Sequence, residues 1–372
     1  MVASRLKNFD STVFQEVFQK QRKIKNPIDL SIGFPEGDTP QYIKEAGIRA
    51  IEDGHTAYTP ANGTPELRTA VAEKFTRENN IPTTASDVAI MPGLSTAFLI
   101  IYLATTDPGE EIIIMDPSFP PYVSLAEVAG ATVKQVPVLE NFQLDLKEIE
   151  AAISGKTRLI VINTPNNPTG AVYAKKDLEK LTKLARKHNI TIVSDEMYES
   201  FVYEGEHFSV GSIYPNTITM NGFSKSYAMT GWRLGYVTGP SEIIAAISQL
   251  LQYAVFSSSS IAQHAALEAL RKPAPKRQSY MKKRELIRDS LQNAGYQVHG
   301  SDGAYYTYFK APANQTDMEF VDRAADKRLL LLPGRVFSKK ENFVRLSYGG
   351  SIEDIKKGLA IITDITRQAQ TT

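Results

Sequence analysis

One lysine in this chain sits in company that could make it reactive. Lys225 lies in Thr219-Met-Asn-Gly-Phe-Ser-Lys-Ser-Tyr-Ala-Met-Thr-Gly-Trp-Arg-Leu-Gly-Tyr236, with Arg233 eight residues further on. A free lysine titrates near ~10.4 and is a poor nucleophile at neutral pH, so a catalytic one needs a cationic or desolvated neighbourhood. Arg233 is placed to supply that charge.

Three further patterns add complementary chemistry. Asp195 ends the apolar run Ile190-Thr-Ile-Val-Ser-Asp, the position where ligands gather in open α/β sheets. A carboxylate there needs a partner, because an unpaired buried one costs several kcal/mol or is neutralised. Val88-Ala-Ile-Met91 followed by Pro92-Gly93 and an apolar helix from Leu94 reads as strand, glycine turn and helix start. Unpaired backbone N–H groups and the helix dipole make such a start an anion site, with Gly93, Leu94 and Ser95 as its candidates. Arg345, in Asn342-Phe-Val-Arg-Leu-Ser347, suits bidentate capture of a carboxylate. A lysine joined as a Schiff base to pyridoxal 5'-phosphate is the recurring use of such a set, with an acid for the pyridine nitrogen and cations for the phosphate.

The segment Ser224-Lys-Ser-Tyr-Ala-Met-Thr-Gly-Trp-Arg-Leu-Gly-Tyr236 closely resembles the lysine segment of fold-type-I pyridoxal-phosphate aminotransferases, the aspartate-aminotransferase-like class I/II family, and the resemblance covers nearly the whole chain. It implies a pyridoxal 5'-phosphate enzyme with Lys225 as the Schiff-base lysine and proton carrier, and Asp195 as partner of the ring nitrogen. Ser224 and Arg233 join Gly93, Leu94 and Ser95 around the phosphate. Tyr58, in Ala57-Tyr-Thr-Pro-Ala-Asn-Gly-Thr-Pro-Glu-Leu-Arg68, matches the tyrosine that reaches the cofactor phosphate of the neighbouring subunit. Phe119 matches the ring that stacks on the pyridine, which needs only a π face. Asn167, in Thr164-Pro-Asn-Asn-Pro-Thr-Gly170, and Tyr198 match the pair sharing the phenolic oxygen. Arg345 matches the arginine for the substrate α-carboxylate. Gly33 is either a plain turn glycine or a backbone contact for that carboxylate. One departure stands out: many relatives carry a phosphate-binding hydroxyl where this chain has Gly222. Ser224 either compensates or points away.

Composition agrees with an enzyme of this class. With 372 residues and 42% hydrophobic content the chain can bury a large core. The 42 basic and 41 acidic residues leave no global field to steer nucleic acid or an anionic membrane. The longest apolar run, residues 98–104, is far too short to span a bilayer, and the first residues lack an apolar signal core. There is no cysteine, and the five histidines show no ligand-like spacing, so no metal is expected. A cytoplasmic location is the default. No Gly-x-Gly-x-x-Gly or Gly-x4-Gly-Lys fingerprint occurs, which excludes support for a nucleotide-phosphate enzyme.

Apolar runs of β type alternate with helical patterns such as residues 175–187. The expected fold is therefore α/β, a large domain with a mostly parallel central sheet covered by helices plus a smaller α+β domain. The expected division is residues 1–40 for the arm and part of the small domain, 41–285 for the large domain and 286–372 for the small one. The resemblance implies a homodimer with active sites shared between subunits. It also implies transfer of an amino group from an amino acid to a 2-oxo acid such as 2-oxoglutarate. Aspartate transamination and carbon–sulfur β-elimination on the same fold are the rival outcomes. Neither cation that aspartate-preferring relatives place over the side-chain carboxylate is visible: Gln252-Tyr-Ala-Val-Phe-Ser-Ser-Ser-Ser260 has none, and the phosphate turn offers Ser95. The expected donor is thus neutral or aromatic, with Phe14, Tyr253 and Phe256 as pocket walls. Asp10 would repel a second carboxylate, and Arg335 is the cation that could reverse the preference.

Overall fold

The computed structural model describes residues 3, 6, 12–272, 277–340 and 342–370. In chain order its strands are β1 Ile28–Asp29, β2 Val88–Met91, β3 Glu111–Asp116, β4 Thr132–Pro137, β5 Thr157–Asn163, β6 Thr191–Asp195, β7 Thr217–Gly222, β8 Gly235–Thr238, β9 Tyr306–Lys310, β10 Leu329–Leu330, β11 Leu332–Pro333 and β12 Phe343–Ser347.

Seven of these form one sheet in the order β2-β8-β7-β6-β5-β3-β4. Strands β4, β3, β5, β6 and β7 run parallel, and β8 is antiparallel to both β7 and β2. The sequence explains the parallel centre. Ile112, Ile113 and Ile114 of β3 and Leu159 to Ile162 of β5 are all buried, the continuous apolar run expected of strands covered on both faces. Burying one such side chain contributes roughly 1.5–3 kcal/mol, so the centre of the sheet is the most heavily stabilised part of the site's support. Register brings Asn163 level with Asp195 and Asp195 level with Met220. The carboxyl ends of β5, β6 and β7 therefore open at one edge, and each feeds a candidate residue: Asn167, Asp195 and Lys225.

A second layer joins the chain's two ends. β1 pairs in parallel with β10, and β11-β12-β9 form an antiparallel sheet in which Arg345 lies opposite Leu332 and Tyr308. Helices Arg277–Asn293, Asp317–Asp326 and Ile352–Gln370 accompany these strands. One apolar cluster runs through both layers, from Ile112 and Val161 to Tyr305, Phe309 and Ile355.

Capping chemistry is explicit at two helix ends. Thr64 caps the helix Pro65–Glu78 through the Leu67 N–H, with Pro65 in its first turn. Gly54 takes φ +76° just past the helix Gln41–Glu52. Strand β9 begins at Tyr306, because Gly303 is tied to the Gly170 carbonyl and Ala304 takes φ +55°. Asp10 lies outside the described residues, as does the side chain of Phe14.

Candidate active site

Lys225 stands in the short helix Phe223–Ser226 that follows β7. Its Nζ donates to the Gly33 carbonyl at 2.7 Å. Burial, then the Arg345 and Arg233 guanidinium groups, bring the ammonium down to about 8, against the opposing pull of Asp195. The cationic help expected from Arg233 alone is thus shared, with desolvation first and Arg345 ahead of Arg233. Roughly one lysine in ten is then neutral at pH 7, against fewer than about one in a thousand for a free side chain.

Asp195 is buried at the end of β6. Its Oδ1 accepts the Met197 N–H at 3.0 Å and its Oδ2 accepts the Tyr122 O–H at 2.7 Å. Burial raises the carboxyl to about 6 even though both hydrogen bonds lower it. A group held at this balance gains strongly from a cationic partner. The neighbouring Glu196 turns the other way: its oxygens take the Ser209 O–H at 2.5 Å, the Asn79 N–H at 3.1 Å and His207 at 2.9 Å. Glu199 adds a bond from Asn79 at 2.7 Å and an ion pair with Lys74. Glu196, Glu199 and His207 lie within reach of a shared ion; the two carboxylates are engaged by these donors, while His207 Nδ1 is buried without a partner.

The strand, glycine turn and helix start at residues 88–94 are present. Gly93 takes φ +84°, and the helix Leu94–Thr105 that follows has no side-chain cap, so its first N–H groups remain for a ligand. A Cβ at Gly93 would come within 2.5 Å of Arg233 Nη2. Arg233 itself adopts φ +53° and donates to the Thr230 carbonyl at 3.1 Å. Leu94 is buried and Ser95 exposed. Ser224 is buried one residue before the lysine. The absence of a hydroxyl side chain at 222 has a steric reason: a Cβ on Gly222 would meet the Leu234 carbonyl oxygen and Gly235 Cα, each at 3.1 Å.

Arg345 is buried, with Nη1 donating to Asn167 Oδ1 at 2.9 Å and Nη2 to the Ser31 carbonyl at 2.5 Å. Its guanidinium carbon lies 4.5 Å from the Tyr306 ring centroid and 4.6 Å from that of Phe337, which fixes the plane of the fork. Its Nε is buried without a partner. Tyr198 shares a 2.8 Å hydrogen bond with Tyr306, and Tyr305 donates to the Gly33 carbonyl at 3.1 Å. Phe119 packs edge-on against Tyr122 at 5.6 Å. Tyr58 stands apart, 81% exposed, with its ring 4.6 Å from that of Phe256. Tyr253 is 83% exposed.

Sequence reasoning missed Tyr122, Ser31, Tyr305 and Tyr306. Tyr122 was visible only as the end of Asp116-Pro-Ser-Phe-Pro-Pro-Tyr122, and the two adjacent tyrosines only as part of a strand. Arg335, whose role the sequence leaves open, is engaged in the structure. It is held by Asp317, with Nη2 to Oδ1 at 2.5 Å and Nε to the same oxygen at 2.9 Å. Asp317 is fully buried as the first residue of its helix, so withdrawing Arg335 would strand a buried carboxylate.

These residues fit pyridoxal 5'-phosphate on features of the chain itself: an uncapped helix start beside an arginine for the phosphate, a buried carboxyl poised for a cationic nitrogen, and a lysine amine brought toward neutrality. The fold and this set define a pyridoxal-phosphate-dependent aminotransferase. The chain belongs to the aminotransferase class I and II family, whose profile matches residues 25–362. It is 39% identical over 343 residues to the aspartate/prephenate aminotransferase of Thermus thermophilus, covering 89% of each chain. It is 34% identical over 374 residues to an aromatic-amino-acid aminotransferase of Thermococcus litoralis, covering 96% of each. The solved structure of the Thermus thermophilus aspartate aminotransferase with maleate superimposes with a TM-score of 0.94 at 35% identity, covering 98% of this chain and 99% of that one. Among the described residues no helix is long and apolar enough to cross a membrane.

Proposed function

We propose that the chain transfers the amino group of a neutral, preferably aromatic or large apolar, amino acid to a 2-oxo acid such as 2-oxoglutarate, in the cytoplasm. The observation that carries the reading is the convergence of three groups from distant parts of the chain. The Lys225 amine reaches the Gly33 carbonyl, the Arg345 guanidinium reaches Asn167 and the Ser31 carbonyl, and Asp195 ends the strand paired with the one that leads to Lys225. Bound pyridoxal 5'-phosphate supplies an electron sink for the pair left at the substrate Cα. Arg345 grips the α-carboxylate and so orients the Cα–H bond. Lys225, half neutral near pH 8, takes that proton and returns it. Asp195 keeps a proton on the ring nitrogen, Phe119 covers a face of the ring, and Asn167 and Tyr198 donate toward its phenolic oxygen. Gly93, Leu94, Ser95, Ser224 and Arg233 hold the phosphate, completed by Tyr58 from a second copy of the chain in a homodimer. Gly33 lies beside the carboxylate pocket. We propose the division into residues 1–40, 41–285 and 286–372 as the corresponding domains.

The donor preference rests on charge. Arg335, the one cation that sequence reasoning left in reserve, is committed to Asp317. Aspartate is the second reading, because relatives named for it share this fold at 39% identity. The test is kcat/KM with 2-oxoglutarate across aspartate, glutamate, phenylalanine, tyrosine, methionine and alanine. A missing cation costs an acidic donor on the order of a few kcal/mol relative to a matched site. Phenylalanine or tyrosine should therefore lead, and aspartate ahead of both by more than about tenfold overturns the preference. The same preparation given one amino acid and no acceptor should stop after a single turnover, whereas a lyase would release pyruvate and ammonia continuously.

A further inference from the structure

We propose that Tyr122 is a positioning residue for Asp195: its hydroxyl fixes one carboxylate oxygen and holds the group ionised and oriented toward the ring nitrogen. The proposal rests on the reading of Asp195 as the partner of that nitrogen, and the experiment below separates the two.

The geometry is specific. Tyr122 lies in the first turn of the helix Pro121–Val128, 2% exposed, and its hydroxyl reaches Asp195 Oδ2 across 73 residues of sequence at 2.7 Å. Its ring is clamped by Phe98 at 4.5 Å and by Phe119 at 5.6 Å. One tyrosine thus touches both the carboxylate and the aromatic ring assigned to the pyridine face. A carboxylate offers about four lone-pair sites. Tyr122 fills one on Oδ2 and the Met197 N–H one on Oδ1, so the plane of the group is set before a cofactor arrives. Burial works against ionisation, and a donated O–H works for it.

The other groups facing Asp195 do not replace this donor. From the helix Leu94–Thr105 comes Tyr102, fully buried, whose hydroxyl has no hydrogen-bond partner. Tyr198 is engaged with Tyr306. Glu196 on the same segment opposes ionisation, and Lys225 favours it through space. Tyr122 is the side chain that donates directly to the carboxylate.

The test uses apoprotein and two probes, pyridoxamine 5'-phosphate and its 1-deaza analogue, titrated by fluorescence between about pH 5 and 9. Neither probe carries an aldehyde, so Lys225 chemistry does not enter, and the ratio of their affinities cancels phosphate ionisation. In the natural protein the ratio should favour the nitrogen-containing probe and collapse below about pH 6. A charge-assisted hydrogen bond is worth roughly one to two pH units, so Tyr122→Phe should move the collapse upward by about that much. Tyr102→Phe should leave it in place. A ratio independent of pH in the natural protein would refute the reading of Asp195 itself. A natural collapse that Tyr122→Phe fails to move would refute the role of Tyr122 alone. Should the phenylalanine variant not fold, 3-fluorotyrosine placed at position 122, a stronger donor, should shift the collapse downward, and no shift or an upward one refutes the proposal.

Discussion

Asp195 shows at the scale of one residue what the site costs the fold. Its carboxyl is raised from the ordinary value to about 6, so between about pH 4 and 6 the folded apoprotein binds more protons than the unfolded chain. Stability must then fall as pH rises through that window, and the deficit is complete by pH 7. Two pH units correspond to on the order of 3 kcal/mol at most. The neutral amide of Asp195→Asn should remove the deficit: apoprotein unfolding midpoints would lose their decline between pH 4 and 7 and lie above the natural protein's at pH 7. Turnover should drop at least tenfold to hundredfold, since a charge-assisted hydrogen bond of about 1.5–3 kcal/mol is lost. Parallel stability profiles for the two proteins would contradict the assignment. At this scale the sequence was informative for residues with motif context, such as Lys225, Asp195 and Arg345. It was silent on Tyr122, because nothing in a local pattern announces a partner 73 residues away.

Elements place these residues, and their legibility followed the strength of the local signal. The helix Lys175–Lys187 matches its predicted span because leucines at helical spacing and a charged outer face leave no competing pattern. β4, Thr132–Pro137, went unread: it is an edge strand with Lys134 and Gln135 and only Val136 buried, so neither alternation nor an apolar run marks it. The helix Ser241–Ala254, with no side-chain cap, was also passed over. The turn at Gly93 carries the sharpest consequence at this scale. An added Cβ would meet Arg233 Nη2 at 2.5 Å on a backbone with φ +84°, and such strain costs about 1–3 kcal/mol. Either the helix start or the guanidinium must shift, and both belong to the proposed phosphate cradle. Gly93→Ala should fold and should bind pyridoxal 5'-phosphate at least about tenfold more weakly in a titration of apoprotein. Unchanged affinity would show that the phosphate lies elsewhere.

For the whole molecule, the question is how many chains make one site. Tyr58 is 81% exposed, with its ring against that of Phe256, and the role proposed for it at the phosphate is one it would play from a second copy. A Lys225→Ala chain retains Tyr58, and a Tyr58→Phe chain retains Lys225. Hybrid dimers of the two should contain one intact site and show cofactor affinity and turnover above either parent dimer. Hybrids shown to form, yet no better than the parents, would place the whole site within one chain. The architecture itself was the most legible level, because buried parallel strands and the long match around Lys225 both pointed to it. The pairing of β1 with β10 was not legible, since two residues on each side carry no pattern.

That pairing governs the order in which a newly made chain can acquire its parts. The lysine, the aspartate and the glycine turn all lie within residues 88–238, and their sheet can close while synthesis continues. The surroundings of Arg345 cannot: Ser31, near the start, meets Arg345, near the end, and β1 has no partner until β10 has been made. At ~5–20 residues per second during synthesis, the segment around Ser31 and Gly33 must wait many seconds on the nascent chain. The sheet that carries Lys225 and Asp195 can therefore exist on the ribosome before the contact between Ser31 and Arg345 does.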